Sequence, residues 1–339
     1  MYSQNTVYAG TDNGSLFAVR ADGKLKWKFT TGDAIRTTPV FSGDKIIFGS
    51  HDHNVYCLNS EGRKLWKFAT GGPLWTYPCI VDRKGNVLFS PSKQIADKSN
   101  DFIVYFGAFD GGLYCIENDG KFLWKYNTHG ANTSGPEYDN GTIYFGSTDG
   151  NLYCVNSKTR NLLWKFSTIG KIGHSCPVVN YNEIFICDYV VNSTSTGGNL
   201  YCLDKNGKLK WRFSVDNAIV STPLVIGDIL YVGSYDGFLY AISISKKELL
   251  WKFRTLYEKL NFDINKSASR MEAEEVKTKN VFSLWKSELS QPAKNTYEQN
   301  FNENSTIYSS TKDINRFTYS KREIYKRKNM YEERDTQYK

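Results

Sequence analysis

Short apolar strings, never long ones, organise the first 256 residues. IYFG, LYCV and LLWKF, between residues 143 and 166, are representative. Each is β-branched or aromatic, is bounded by Gly, Asp or Asn, and is too short for a helix. They predict strands joined by tight turns. The Asp149-Gly150 step between the first two supplies the positive φ that a two-residue hairpin turn requires.

This triplet of strings returns six times. Its clearest marks are Trp27, Trp66, Trp124, Trp164, Trp211 and Trp251, spaced by 39, 58, 40, 47 and 40 residues. The basic period is about 40, the length of a four-stranded propeller blade. Insertions at 83–101, between the first and second strands of the unit, and at 188–198, between the second and third, account for the two long intervals. The first insertion carries Val87-Leu88-Phe89, a candidate extended hairpin. A further strand precedes each of copies two to six and opens at Pro39, Pro78, Pro136, Pro177 and Pro223. Proline is tolerated at the start of a strand, where its missing donor matters least. One unit is therefore strand a at the proline, b at YFGS, c at LYC and d at LWKF. The expected fold is an all-β propeller of about six four-stranded blades. The first copy starts at strand b, because MYSQNT offers no strand a, so 23 strands are expected. An unclosed ring leaves strand edges bare. Closure by the C-terminal tail, an incomplete ring, and a degenerate blade near 304–313 (NSTIYSSTKD) all stay open.

Composition changes at Tyr257: all 27 glycines and all seven cysteines precede it. The domain division expected is 1–256 for the propeller and 257–339 for a tail. Residues 267–289 predict a short helix with Val281, Leu284, Trp285 and Leu289 on one stripe, followed by low order. The basic run 321–328, with Tyr319, Tyr325 and Tyr331 around it, has the ingredients of a nucleic-acid contact. Acidic Glu332 and Glu333 follow at once, so a solvated tail is expected and a nucleic-acid partner is not.

Net charge is +8, a mild excess that demands no acidic partner. No apolar run is long enough for a membrane span. The N-terminus lacks a secretory signal, which predicts a cytoplasmic location, or a periplasmic or extracellular one if the N-terminus is truncated. Seven cysteines without a CxxC or an adjacent pair predict reduced thiols. Four of them, Cys57, Cys115, Cys154 and Cys202, share one strand-c position that is Ala18 and Ala241 in the other copies. A position that accepts Cys or Ala is a small buried site.

The string G-S-x-D-G-x-L-Y followed by G-x-x-x-W-x-F resembles the repeat of quinoprotein-type propellers. That family includes pyrroloquinoline quinone dehydrogenases and the propeller lipoprotein of the outer-membrane barrel-assembly machine. The resemblance covers roughly three quarters of the chain. It implies that each repeated tryptophan wedges between adjacent blades. For the dehydrogenases it also implies a quinone on the axis with calcium, a carboxylate base and often a disulfide between adjacent cysteines. This chain has no Cys-Cys pair, and no GxSxG, HExxH or P-loop string. The repeated Asp-Gly steps fit turn chemistry better than calcium ligation. His51 and His53 form an HxH in a turn without a third ligand nearby, so surface chemistry is expected there and not a metal. The fold hosts catalysts and scaffolds alike. A non-enzymatic scaffold that binds a protein or peptide, with no cofactor, is the leading expectation. A quinone-dependent dehydrogenase or degenerate relative, and a small-ligand sensor, are the alternatives.

Two positions before each strand-a proline stands a hydroxyl: Thr37, Thr76, Ser134, Ser175 and Ser221. Such uniformity predicts a side chain–backbone bond where the strand begins. One position earlier the residues differ: Arg36, Trp75, Thr133, His174 and Val220. In a propeller the d-to-a loops rim one mouth of the channel. Arg36, Trp75 and His174 are therefore the candidate binding residues, suited to an anionic or aromatic group.

Overall fold

A computed structural model of the chain describes residues 2–3, 5–91, 99, 101–191 and 196–255. All fall within one compact unit, Met1–Glu258. The expected tail helix at 267–289, the basic run at 321–328 and the echo at 304–313 lie outside the described residues.

Among the described residues, the fold is a β-propeller of six antiparallel sheets, consecutive in the chain. The second blade shows the pattern: Val40–Ser42 as strand a, Lys45–Gly49 as b, Asn54–Asn59 as c and Lys64–Ala69 as d. Strands b and c are buried almost throughout, because a neighbouring blade covers both of their faces. Strand d alternates exposed and half-buried residues, with the exposed ones facing solvent.

Two blades depart from expectation. In the first, Tyr2–Ser3 pairs with Val7 and Thr6, so this blade does have a strand a and the sheet has four strands. The expected count of 23 strands was too low, since a two-residue strand leaves no periodic signal and exists through its pairing alone. In the third, Val87–Phe89 folds back on Cys79–Asp82 as a fifth strand at the inner edge. This is the hairpin the insertion suggested. Leu88 and Phe89 are buried on the side of Val40–Ser42, filling space near the axis. The insertion at 188–198 lengthens the b–c hairpin of blade five, Glu183–Val191 with Thr196–Asp204.

The core is not one body. Five buried clusters occupy the five joints between successive blades. Each joint takes a tryptophan and an aromatic from strand d of one blade and the b and c residues of the next. Trp27 and Phe29, for instance, pack with Ile46, Phe48, Tyr56 and Leu58.

Register explains the repeated cysteines. Cys57, Cys115, Cys154 and Cys202 each stand directly opposite a blade tryptophan, as do Ala18 and Ala241. A β-bulge follows every one of these pairs. The bulge twists strand d, and only a small side chain fits beneath the indole. Burial pushes all four thiols up to about 12, so they are packing groups and not nucleophiles.

Candidate functional site

The b–c turns and the d–a loops lie at the same mouth and are stitched together by backbone bonds. Ile35 N–H donates to Thr11 O, His51 N–H to Ala34 O, Phe109 N–H to Pro73 O and Tyr235 N–H to Ala218 O. Turn aspartates add a second stitch. The Asp52 carboxylate accepts from Tyr56 Oη at 2.6 Å and from Gly32 N–H, in the loop of the preceding blade, at 2.8 Å. Asp149 does the same with Tyr153 and His129 N–H, and Asp188 with Tyr201 and Gly170 N–H. For Asp52 and Asp149, burial raises the carboxyl pKa, but these bonds outweigh it and hold the group below the ordinary carboxylate range. The repeated turn aspartate, whether or not a glycine follows it, is thus a structural latch.

The hydroxyls before the prolines lock the loop to strand b. Thr37 Oγ1 donates to Gly49 O at 2.9 Å and accepts from Gly49 N–H at 2.8 Å. Thr76 with Gly107 and Ser221 with Gly233 repeat this pair of bonds, and Ser175 accepts from Cys187 N–H. Ser134 is the exception: its buried Oγ has no partner among the described residues.

On this fixed frame the residue one position earlier is presented at the mouth. The three candidate residues come together around one indole. The Arg36 guanidinium carbon lies 5.1 Å from the Trp75 ring centroid, and the His174 imidazole stacks on Trp75 at 4.9 Å and 18°. Thr133, by contrast, is buried. Arg36 is held in place by Asp12, which accepts from its Nε at 2.8 Å.

Sequence reasoning missed two members of the group. His51 is nearly parallel to Trp75, 5.0 Å away, and its Nδ1 accepts from Trp75 Nε1 at 3.3 Å. Phe109 meets the indole edge-on at 5.3 Å and is 38% exposed. Both sit on b–c turns, so their place beside the d–a loops follows only once the two kinds of turn share one mouth. Because Nδ1 accepts, the neutral His51 ring carries its proton on Nε2, which is buried without a partner among the described residues. Burial, then the nearby Arg36 charge, lower the His51 pKa; for His174, an exposed residue, desolvation of the ring stacked on Trp75 lowers it. The cluster is therefore an aromatic surface with one fixed cation. Among the described residues, no three His, Cys, Asp or Glu side chains form a ligand group, at His51 and His53 or elsewhere.

Five blade tryptophans occupy the joints, and they do so unequally; the sixth, Trp251, lies outside them. Trp27, Trp66 and Trp164 lie against the c–d turn of the next blade, where a Cβ added to Gly62, Gly120 or Gly207 would come within 2.6, 2.8 and 2.6 Å of their rings. Their Nε1 atoms donate to Ser60 O, Asn118 O and Lys205 O, each at 2.9 Å. In the turns that face Trp124 and Trp211, Arg160 (φ 66°) and Lys247 (φ 60°) take the left-handed position in place of glycine. Trp124 is buried. Trp211 Nε1 is buried without a partner among the described residues. Trp251 is 43% exposed.

Comparison with known proteins agrees with this geometry. A family model described as outer membrane protein assembly factor BamB matches residues 1–80, 109–192 and 187–282. The solved structure of BamB from Moraxella catarrhalis aligns with TM-score 0.56 at 18% identity, covering 74% of this chain and 71% of that one. A europium-containing methanol dehydrogenase aligns with TM-score 0.58 at 14% identity, covering 75% and 68%. At such identities these structures speak for the fold alone. A tetrathionate hydrolase of Acidithiobacillus ferrooxidans is 23% identical over 142 residues, 36% of this chain, and the chain spans only 28% of that relative's length. Matched by this family model over most of its length, the chain belongs to the BamB family of quinoprotein-like propellers.

Proposed function

We propose that the chain is a non-catalytic propeller scaffold, and that it binds an extended protein segment across the mouth carrying Trp75. The observation that carries this reading is the convergence of Arg36, His51, Phe109 and His174, from four separate loops or turns, on one indole. Rigid aromatic side chains around an arginine are the composition of binding hot spots. They cost little conformational entropy to use, since packing has already fixed them. An aromatic or acidic side chain of a peptide suits this surface: the first by stacking, the second by pairing with Arg36. The turn carboxylates are committed to tyrosines and backbone amides, which speaks against their use as acid–base or calcium ligands for a quinone. The strand Val87–Phe89 takes up room at the inner edge, where a quinone on the axis would sit.

Selection of a random peptide library on the immobilised full chain tests the proposal. Enriched peptides are expected to carry aromatic and acidic residues and to bind Trp75→Ala at least about tenfold more weakly. Phe109→Ser, a milder change at a partly exposed position, weakens them less. Peptides that bind Trp75→Ala and Phe109→Ser as well as the parent chain would overturn it, as would a selection that enriches nothing.

A further inference from the structure

Each interior joint has two halves: a tryptophan on strand d, and a seat on the next blade made by a positive-φ residue in its c–d turn. Blade 1 has the seat and blade 6 has the tryptophan, and neither is used among the described residues. Gly23 occupies the position of Gly62, Gly120 and Gly207 with φ +82°, yet a Cβ there would have no described atom within 4 Å. Its equivalents are all covered by an indole.

The faces around these two points are open in the same way. On blade 6, Leu224 (56%), Phe253 (52%) and Trp251 (43%) are exposed, whereas the equivalent of Leu224 in blade 2, Val40, is 0% exposed in a buried cluster with Trp66 and Phe68. Val7 of blade 1 is 42% exposed, whereas its equivalent Ile46 is 1% exposed. No buried cluster joins blade 6 to blade 1 among the described residues.

We propose that these two faces are docking surfaces for a second copy of this chain, with Trp251 of one copy seated on Gly23 of the next. The contact continues the established stack. It would use the indole, the apolar strand face and the glycine seat that hold blades 1–2, 2–3 and 4–5 together. Every copy carries both halves, so the complementary partner is always present in the pure protein. The contact is heterologous, joining unlike faces, so it adds copies head to tail and does not close on a two-fold axis.

Sedimentation velocity of the full chain over a concentration series tests this. The parent chain is expected to form concentration-dependent species larger than the monomer. Trp251→Ala removes the indole. Gly23→Asn blocks the seat, and asparagine tolerates positive φ, as Asn5 (φ 57°) and Asn140 (φ 46°) do elsewhere in the chain. Each variant alone is expected to self-associate at least about tenfold more weakly. Mixed in equal amounts, they should pair one to one and stop there, because Trp251→Ala keeps the seat and Gly23→Asn keeps the indole. Three results would each overturn the proposal: a parent chain that stays monomeric throughout, a Gly23→Asn variant that assembles like the parent, or a mixture that does not pair. The first would leave the faces to blades of another polypeptide or to another part of this chain.

Discussion

The joint between blades 2 and 3 and the outer face of blade 6 present equivalent positions in the same register, yet among the described residues one is closed and the other bare. Trp66 pairs with Cys57 across its sheet and donates to Asn118 O of the next blade. Trp251 pairs with Ala241 in the same way but remains 43% exposed. Strand geometry is therefore set within a blade, and burial is set by the neighbour. What the repeat encodes locally is a sheet with two sticky faces; its stability comes from stacking, as in other quasi-one-dimensional repeat proteins.

Predictions that break or sharpen this comparison follow from the largest effect to the smallest. Trp66→Ala should destabilise the chain by about 3 kcal/mol in urea unfolding, the usual cost of deleting a large core aromatic. Under the same dilute conditions Trp251→Ala should change stability by less than about 0.5 kcal/mol. Equal losses would mean that the neighbour is irrelevant. Gly62→Ala should cost about 2 kcal/mol, because it adds a clash with the Trp27 ring to the left-handed backbone penalty. At Gly23 only that penalty applies, about 1 kcal/mol, so the difference between the two alanine variants isolates the seat.

A smaller effect lies in the mouth. The folded His51 pKa is depressed, so the unfolded chain takes up the proton first. The His51 contribution is complete above about pH 6.5 and is lost as pH falls from there through the folded pKa. Urea midpoints measured at pH 7.5 and at pH 5.5 should therefore differ less in His51→Phe, which keeps a ring beside Trp75 but cannot titrate. A variant as pH-dependent as the parent would remove His51 from the account. Smallest of all, Lys247→Gly should stabilise the chain by about 0.5 kcal/mol: it relieves a left-handed lysine and loses part of the gain to unfolded-state entropy.

Much of this architecture was legible in the sequence. Six tryptophans at a period of about 40, short alternating strings and Asp-Gly turns specify sheets and their order, because each signal is local. The rim residues Arg36, Trp75 and His174 were legible for a related reason: a common offset from the strand-a proline puts them in equivalent loops. Their mutual contact was not, since it depends on side chains reaching across blades. His51 escaped because it belongs to another hairpin, 24 residues from Trp75. The strand Tyr2–Ser3 escaped because two residues carry no period. The inequality of the seats was hidden too: Arg160 and Lys247 read as ordinary turn residues until the indoles opposite them are seen.

Hydrogen exchange of strand d tests most directly the claim that neighbours, and not intrinsic strand preference, secure each blade. At dilutions where sedimentation shows a monomer, amides of Glu248–Arg254 should exchange at least about tenfold faster than those of Lys64–Ala69, which occupies the same place in a covered blade. Equal protection of the two strands would contradict the account.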